Sequence, residues 1–177
     1  MIKLLNRKVH YSGPLFTVNT DKIQMPDGSI IQRDTIEKRQ SAAAVLVVKD
    51  NGNVLFVRQY RHSAGSFVLE IPAGIAQAGE TPLECATREL EEETGLRAGK
   101  WRFLFKFYSA VGFCDELVYI YLASELTEGV QHLDDDESLT LEQYPFEEAI
   151  QMIFDGRIVD SKTIAALLGY RNVAPHG

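Results

Sequence analysis

Residues 74–96, GIAQAGETPLECATRELEEETGL, decide how the rest of the chain is interpreted. Thr81 and Glu84 have the spacing of a capping box, and Pro82 falls at the first helical position, where its missing N–H costs nothing. Gly95 suits a left-handed cap at the other end. The sequence therefore predicts a helix that begins at Pro82 and ends just before Gly95.

Three acidic side chains, Glu89, Glu92 and Glu93, share one face of this helix, because spacings of three and four residues bring side chains together. Like charges repel there, so the cluster favours a bound cation, and carboxylate oxygens are the hard ligands that Mg²⁺ or Mn²⁺ prefers. The alternative is an acidic face that is only solvated. We interpret Glu84 and Glu91 in that second way.

The apolar residues of the helix predict which side faces the core. Leu83, Ala86 and Leu90 share one arc of the helical wheel and are expected to be buried. The chain has two cysteines: Cys85 lies within the helix and Cys114 near an apolar run. Neither has a metal-binding or redox spacing, so both are expected to be buried free thiols in a reducing compartment.

Composition limits the class of protein. The chain has 177 residues, is 45% apolar and carries a formal net charge of −7. This size suits one globular domain, and the negative charge argues against a general nucleic-acid binder. No apolar run reaches membrane-spanning length, and the first residues do not resemble a signal peptide, so a cytoplasmic protein is expected.

The region from residue 1 to 40 predicts a β-hairpin. Pro26, Asp27 and Gly28 lie between apolar patches and form a turn signal, because proline fixes φ and glycine supplies a positive φ. An isolated hairpin is marginally stable in water, so it should pack against the rest of the protein or a second subunit.

The remaining chain alternates predicted strands and helices. Strands are predicted at 42–48, 54–57, 67–74, 101–108 and 117–122, and amphipathic helices at 146–155 and from 161 towards 170. This order predicts an α/β fold with helices covering a sheet.

Nine positions of the central stretch match the Nudix box, G-x5-E-x7-R-E-U-x-E-E-x-G-U, in which U is a bulky aliphatic residue. They are Gly74, Glu80, Arg88, Glu89, Leu90, Glu92, Glu93, Gly95 and Leu96. A motif with this many fixed positions is specific. The chain resembles the Nudix hydrolases, and along most of its length the ADP-ribose pyrophosphatases among them.

The resemblance implies a Nudix-type α/β/α sandwich with an N-terminal β-hairpin extension. Residues 1–40 would be the extension, which exchanges between the protomers of a homodimer, and residues 41–177 would be the hydrolase domain. It also implies a salt bridge between Arg88 and Glu80 that orients the metal-binding helix.

The resemblance further implies a metal site. Two or three Mg²⁺ ions, or Mn²⁺, would bind Glu89, Glu92, Glu93 and the carbonyl of Ala73. Glu92 would also be a catalytic residue. The acidic loop 133–139 would supply a metal ligand or the base that deprotonates the attacking water. Glu137 is the first choice and Asp135 the second; the alternative is a solvated loop.

Four residues are candidates for substrate binding. Arg58 and Arg61 end a predicted strand in a stretch, RQYR, that resembles the family, and arginine offers a forked donor to phosphate. Glu70 interrupts an apolar strand, where a carboxylate is either paired or functional. Arg33 could face a nucleotide. The alternative for the arginines is an ordinary surface charge.

The implied reaction is hydrolysis of ADP-ribose to AMP and ribose 5-phosphate. Val111 stands about where the ADP-ribose pyrophosphatases usually carry a proline, so another nucleoside diphosphate sugar, such as GDP-mannose, is the alternative. A non-catalytic Nudix domain that senses a nucleotide is a third interpretation. It predicts broken metal ligands or an attached DNA-binding segment, and the sequence shows neither.

Overall fold

Three β-sheets and three α-helices make up the protein in a computed structural model that describes residues 1–133 and 138–173. The strands are β1 Lys3–Ser12, β2 Phe16–Gln24, β3 Ile30–Lys38, β4 Ala42–Val47, β5 Asn53–Arg61, β6 Ser66–Glu70, β7 Ala73–Ile75, β8 Leu96–Tyr108, β9 Leu117–Glu128 and β10 Leu139–Pro145. The helices are α1 Pro82–Thr94, α2 Phe146–Phe154 and α3 Ser161–Val173, and a 3-10 turn spans His62–Ala64.

The N-terminal region is an antiparallel sheet in the order β1-β2-β3. The predicted turn joins β2 to β3, where Gly28 has a φ of 87° and its N–H donates to the Met25 carbonyl at 3.0 Å. The expected two-stranded hairpin is therefore a three-stranded sheet. The sequence did not indicate β1 because every one of its residues is exposed, so no alternation of buried and polar residues marks it.

The central strand β4 positions the rest of the molecule. It pairs in parallel with β9 and antiparallel with β7, in a sheet ordered β7-β4-β9-β8. Ala43, Val45 and Val47 pack in the apolar cluster beneath α1, whereas Ala44 and Leu46 pack in the cluster that contains α2 and α3. Both faces of β4 are thus covered by helices, which confirms the α/β/α arrangement.

A second antiparallel sheet has the order β10-β5-β6. The strand β10 was not predicted from the sequence; it pairs with β5 along its whole length and leads into α2 at Pro145. Its partly buried residues are Leu139, Glu142 and Tyr144, and Leu141 is exposed, so no regular alternation of apolar and polar residues marks the strand. The helices α2 and α3 begin where predicted, at Phe146 and Ser161.

The helix α1 has the predicted bounds and the predicted caps. Thr81 and Glu84 form both hydrogen bonds of the capping box, and Gly95 closes the helix with a φ of 69°. Ala86 and Leu90 are buried as predicted, but Leu83 is 39% exposed, which corrects its placement in the core.

Leu83 is exposed because it lies in the first turn of α1. Glu89 and Glu93 are buried together with Cys85 and Ala86, so the inward arc of the helix is centred on the side that carries the acidic residues. On the helical wheel Leu83 falls between Leu90 and Thr94, which are both buried, so its exposure follows from its place in the first turn and not from its arc. Cys114 also departs from expectation, since it is only partly buried, although both cysteines are free thiols.

Candidate active site

Arg88 connects the carboxylates of the central motif. Its Nε and Nη2 donate to Glu80 at 2.9 and 3.0 Å, and its Nη1 donates to Glu89 at 2.7 Å and to Glu92 at 2.8 Å. Hydrogen bonds from Arg88 hold the pKa of Glu80 below its usual value. The bidentate pair with Glu80 fixes the guanidinium near the start of α1, and Nη2 also reaches the carbonyl of Ile75 in β7 at 3.1 Å.

The strand β7 lies against the acidic side of α1. A Cβ placed on Gly74 would stand 1.8 Å from an Oε atom of Glu89, so only glycine permits this approach. One residue earlier, the backbone N–H of Ala73 donates to Glu93 at 3.1 Å. The buried carboxylates of Glu89 and Glu93 are therefore both held next to the 73–74 backbone.

These contacts bear on the predicted metal site. Within residues 1–133 and 138–173, no group of three or more His, Cys, Asp or Glu side chains is arranged to hold a metal ion. Arg88 provides the positive charge that the acidic face requires, because it bridges Glu89 and Glu92. The donors still fit a divalent cation chemically: the three carboxylates of α1, two of which lie against the 73–74 backbone, form a hard oxygen set.

A cavity of about 230 Å³ adjoins this backbone and contains Ala73, Gly74, Arg61 and Lys162 among its lining residues. In its wall, Arg61 donates twice to Glu70, each time at 2.8 Å. The structure therefore brings the predicted residues Arg61 and Glu70 together beside β7.

Glu70 is 2% exposed and keeps its charge through its partners. Burial alone raises its pKa, but the hydrogen bond from Arg61 and the charge of Lys162 outweigh that effect, and the pKa lies below its usual value. Lys162 also contacts Asp160 at 3.0 Å. Glu70 is thus a paired buried carboxylate between two cations.

Two other predicted residues lie elsewhere. Arg58 of β5 pairs with Glu142 of β10, with one of the two contacts at 3.1 Å, and this bond raises the pKa of the guanidinium. Arg33 of β3 donates to the carbonyl of Gln32 at 2.9 Å. In the described part of the chain, no hydrogen bond or ion pair links Arg33 or Arg58 to α1 or β7. Asp135 and Glu137 lie outside the described residues.

Lys162 and Asp160 also belong to this region, although the sequence alone did not indicate them. Asp160 accepts the backbone N–H of Thr163 at 2.9 Å and so caps α3, and the Thr163 hydroxyl accepts the N–H of Ile71 at 2.9 Å. An aspartate three residues before a threonine at a predicted helix start was the available signal. This spacing indicates a helix cap. It does not predict the contact between α3 and the segment that leads to β7, because that contact joins residues far apart in the sequence.

Each helix in the described residues is too short or too polar to span a membrane.

This arrangement, a helix that buries carboxylates against a glycine-containing strand inside an α/β/α fold, agrees with the family comparison. A model of the NUDIX domain matches residues 38–167. The chain belongs to the Nudix family.

Several characterised relatives cover most of the chain. An ADP-ribose pyrophosphatase of Mycobacterium tuberculosis is 40% identical over 166 residues, which are 92% of this chain and 80% of the relative. An ADP-ribose pyrophosphatase of Bacillus subtilis is 35% identical over 93% of this chain and 90% of its own. A GDP-mannose pyrophosphatase of Yersinia enterocolitica is 34% identical over 85% of this chain and 83% of its own.

Among solved structures, one described as an ADP compounds hydrolase superposes with a TM-score of 0.88. The match covers 97% of this chain and 93% of the other, at 23% sequence identity. This likeness confirms the fold, including the N-terminal sheet within its coverage.

Proposed function

We propose that the protein is a Nudix pyrophosphohydrolase that cleaves the diphosphate bond of ADP-ribose, with water, to AMP and ribose 5-phosphate. The observation that carries this proposal is the meeting of Glu89 and Glu93 with the 73–74 backbone at the edge of a cavity that Arg61 also lines. Glu92 is tied to Glu89 through Arg88. The relatives named as ADP-ribose pyrophosphatases support this choice of substrate.

The reaction requires a divalent cation, Mg²⁺ or Mn²⁺, held by Glu89, Glu92, Glu93 and the Ala73 carbonyl. Such a cation would offset the charge of the diphosphate and make a neighbouring water more acidic. Arg88 keeps its bidentate hold on Glu80 and so orients α1 towards β7.

The other residues act on substrate and water. Arg61 binds the diphosphate through the guanidinium N–H groups that Glu70 does not use, while Glu70 fixes its position. Glu137, or else Asp135, takes a proton from the attacking water, so that oxygen forms a bond to phosphorus as the phosphoanhydride bond breaks. Arg58 and Arg33 remain predicted substrate-binding residues, although Arg58 pairs with Glu142 and Arg33 with the Gln32 carbonyl in the described part of the chain.

A hydrolysis panel tests the assignment directly. ADP-ribose, GDP-mannose, a diadenosine polyphosphate and 8-oxo-dGTP are each incubated with the protein and Mg²⁺, and the products are identified by mass. AMP and ribose 5-phosphate formed at the highest kcat/KM support the proposal. No hydrolysis of any compound, with Mg²⁺ or Mn²⁺, contradicts it and favours a nucleotide-sensing domain.

GDP-mannose is the second candidate, because Val111 replaces the expected proline and a relative acts on that compound. A preference for GDP-mannose in the same panel would change the substrate but keep the site.

Substitution of Glu93 tests the site itself. We expect Glu93→Gln to lower kcat by about 100-fold or more, because a metal ligand is lost, while the fold is retained. Glu91→Gln is the matched control: Glu91 lies on the same helix but pairs with Arg97 at the surface. Equal activity of the two variants would contradict the assignment of Glu93.

A homodimer and a cytoplasmic location complete the proposal. Large apolar side chains on β1 are exposed, among them Leu4, Val9 and Tyr11, and a second subunit would cover them. The free thiols Cys85 and Cys114 suit a reducing compartment.

A further inference from the structure

Lys162 of α3 brings a positive charge to the cavity beside β7. Among the lining residues, which include Ala73 and Gly74, Arg61 and Lys162 are the two cations. The Lys162 side chain is 17% exposed, so it is mostly enclosed but still reaches the cavity. A protein of net charge −7 that binds a diphosphate depends on such local cations.

The position of Lys162 is fixed by its neighbours. Its ammonium group contacts Glu70 on β6 and Asp160 at the start of α3. The Thr163 hydroxyl then joins α3 to the backbone of Ile71, two residues before Ala73. The first turn of α3 is therefore held against the strand that enters the metal-binding motif.

The ammonium group of Lys162 has one N–H donor left for the cavity. An ammonium group has three donors, and the contacts with Glu70 and Asp160 occupy two of them. One donor remains for a group in the cavity. Glu116, which also lines the cavity, has its own cation in Lys38 at 3.0 Å.

We infer that Lys162 is a further substrate-binding residue, whose third N–H donates to a phosphate oxygen of the nucleoside diphosphate sugar. The contact adds a second cation, opposite α1, to the one supplied by Arg61. This inference rests on the proposed function, because the diphosphate substrate is part of that proposal.

The test compares three substitutions of Lys162. Met removes the charge and keeps the length, Gln removes the charge but still donates to Glu70, and Arg keeps the charge. We expect Lys162→Met and Lys162→Gln to lower kcat/KM for ADP-ribose by about 10- to 100-fold, mainly through KM, because one charge-assisted hydrogen bond is lost. Lys162→Arg should restore most of the loss.

A binding measurement separates substrate contact from stability. Calorimetric titration with ADP-ribose in EDTA, where no hydrolysis is expected, should show Kd raised by a similar factor in both neutral variants. Lys100→Met, an exposed lysine on β8, is the matched control and should bind as the wild type. Circular dichroism and the melting temperature give the folded fraction to which every rate is normalised, and Lys162→Gln replaces Lys162→Met if the latter does not fold.

A double substitution distinguishes direct contact from an effect through Glu70. In a Glu70→Gln background, Lys162→Gln should still lower kcat/KM at least fivefold, because the phosphate contact does not depend on Glu70 (about 1 kcal/mol). No further loss in that background, or neutral variants with unchanged kcat/KM, would overturn the inference. A wild type without hydrolytic activity would instead overturn the proposed function.

Discussion

The absence of a side chain at Gly74 lets the Glu89 carboxylate reach the backbone of β7. Its φ is not among the positive glycine values of the chain, so alanine is compatible with the backbone there. A methyl group would nevertheless stand 1.8 Å from a Glu89 Oε atom. Glycine at this position is required by the neighbouring carboxylate and not by the backbone conformation.

We therefore expect Gly74→Ala to fold but to lose activity. The Glu89 carboxylate is the flexible end of its side chain and would move away, and a displacement of about 1 Å in such a site costs about 100-fold in rate. The measurement pairs kcat/KM with the melting temperature. A variant with near-normal activity would show that the position of Glu89 is not important for the reaction.

The pH dependence of stability tests the ion pairs of Glu70. Because the folded state lowers the pKa of Glu70 below 4.5, the stabilisation is fully present above pH 4.5 and is lost as the pH falls through the folded pKa. At pH 7, Glu70→Gln should lower the free energy of unfolding by about 2 kcal/mol, and the difference from wild type should shrink towards about pH 3. Urea unfolding at both pH values measures it.

Glu147→Gln is the control for that experiment. Glu147 is 71% exposed and pairs with Arg171 at 3.3 Å on the surface, so its loss should change stability little at either pH. A difference between Glu70→Gln and wild type that stays constant down to pH 3 would contradict the assigned pKa shift.

Residue by residue, the sequence predicts the site only where the motif fixes it. The box positions and the Arg61–Glu70 pair are brought together around β7. Arg58 lies on the same strand as Arg61 but pairs with Glu142 of β10. This pairing could not be predicted, because the strand β10 was not predicted from the sequence. Lys162 escaped notice since a single lysine at a helix start carries no local signal.

Among the elements, α1 is the one that local chemistry specifies most completely. The Thr81 hydroxyl accepts the N–H of Glu84 at 3.3 Å, and the Glu84 carboxylate accepts the N–H of Thr81 at 2.8 Å. These two bonds, Pro82 and Gly95 explain why its predicted bounds agree with the structure. The strand β1 had no such signals, because none of its side chains is buried.

The capping box makes a prediction for stability. Thr81→Ala should lower the free energy of unfolding by about 1 kcal/mol, because the N–H of Glu84 at the helix start loses the hydroxyl that accepts it. Thr87→Ala is the matched control, since the Thr87 hydroxyl donates to the Leu83 carbonyl within the helix and its removal should be neutral or slightly stabilising. Equal effects of the two substitutions in urea unfolding would contradict the role of the cap.

At the scale of the whole molecule, the N-terminal sheet makes few connections to the rest. Ile36 of β3 forms a bridge with Cys114, its N–H donates to the Phe113 carbonyl at 2.6 Å, and Lys38 pairs with Glu116. The family comparison begins only at residue 38. The exposed apolar side chains of β1 lie beyond these connections, which is why we assign them to a second subunit.

The oligomeric state tests that assignment. We expect the wild type to sediment as a dimer and the double variant Leu4→Asp/Val9→Asp to sediment as a monomer, because two charges in an apolar interface are costly to bury. Val173→Asp, which changes an equally exposed valine at the end of α3, should leave the mass unchanged. A monomeric wild type at micromolar concentration would remove β1 from the interface.

The bridge that Arg88 makes between Glu89 and Glu92 has a consequence for the life of the protein in a cell. Because the acidic helix already has a counterion in Arg88, the chain does not need a metal ion in order to fold. Newly synthesised chains would then accumulate in folded form even where divalent cations are scarce. The supply of the cation would then limit the activity of the protein and not the amount of folded protein.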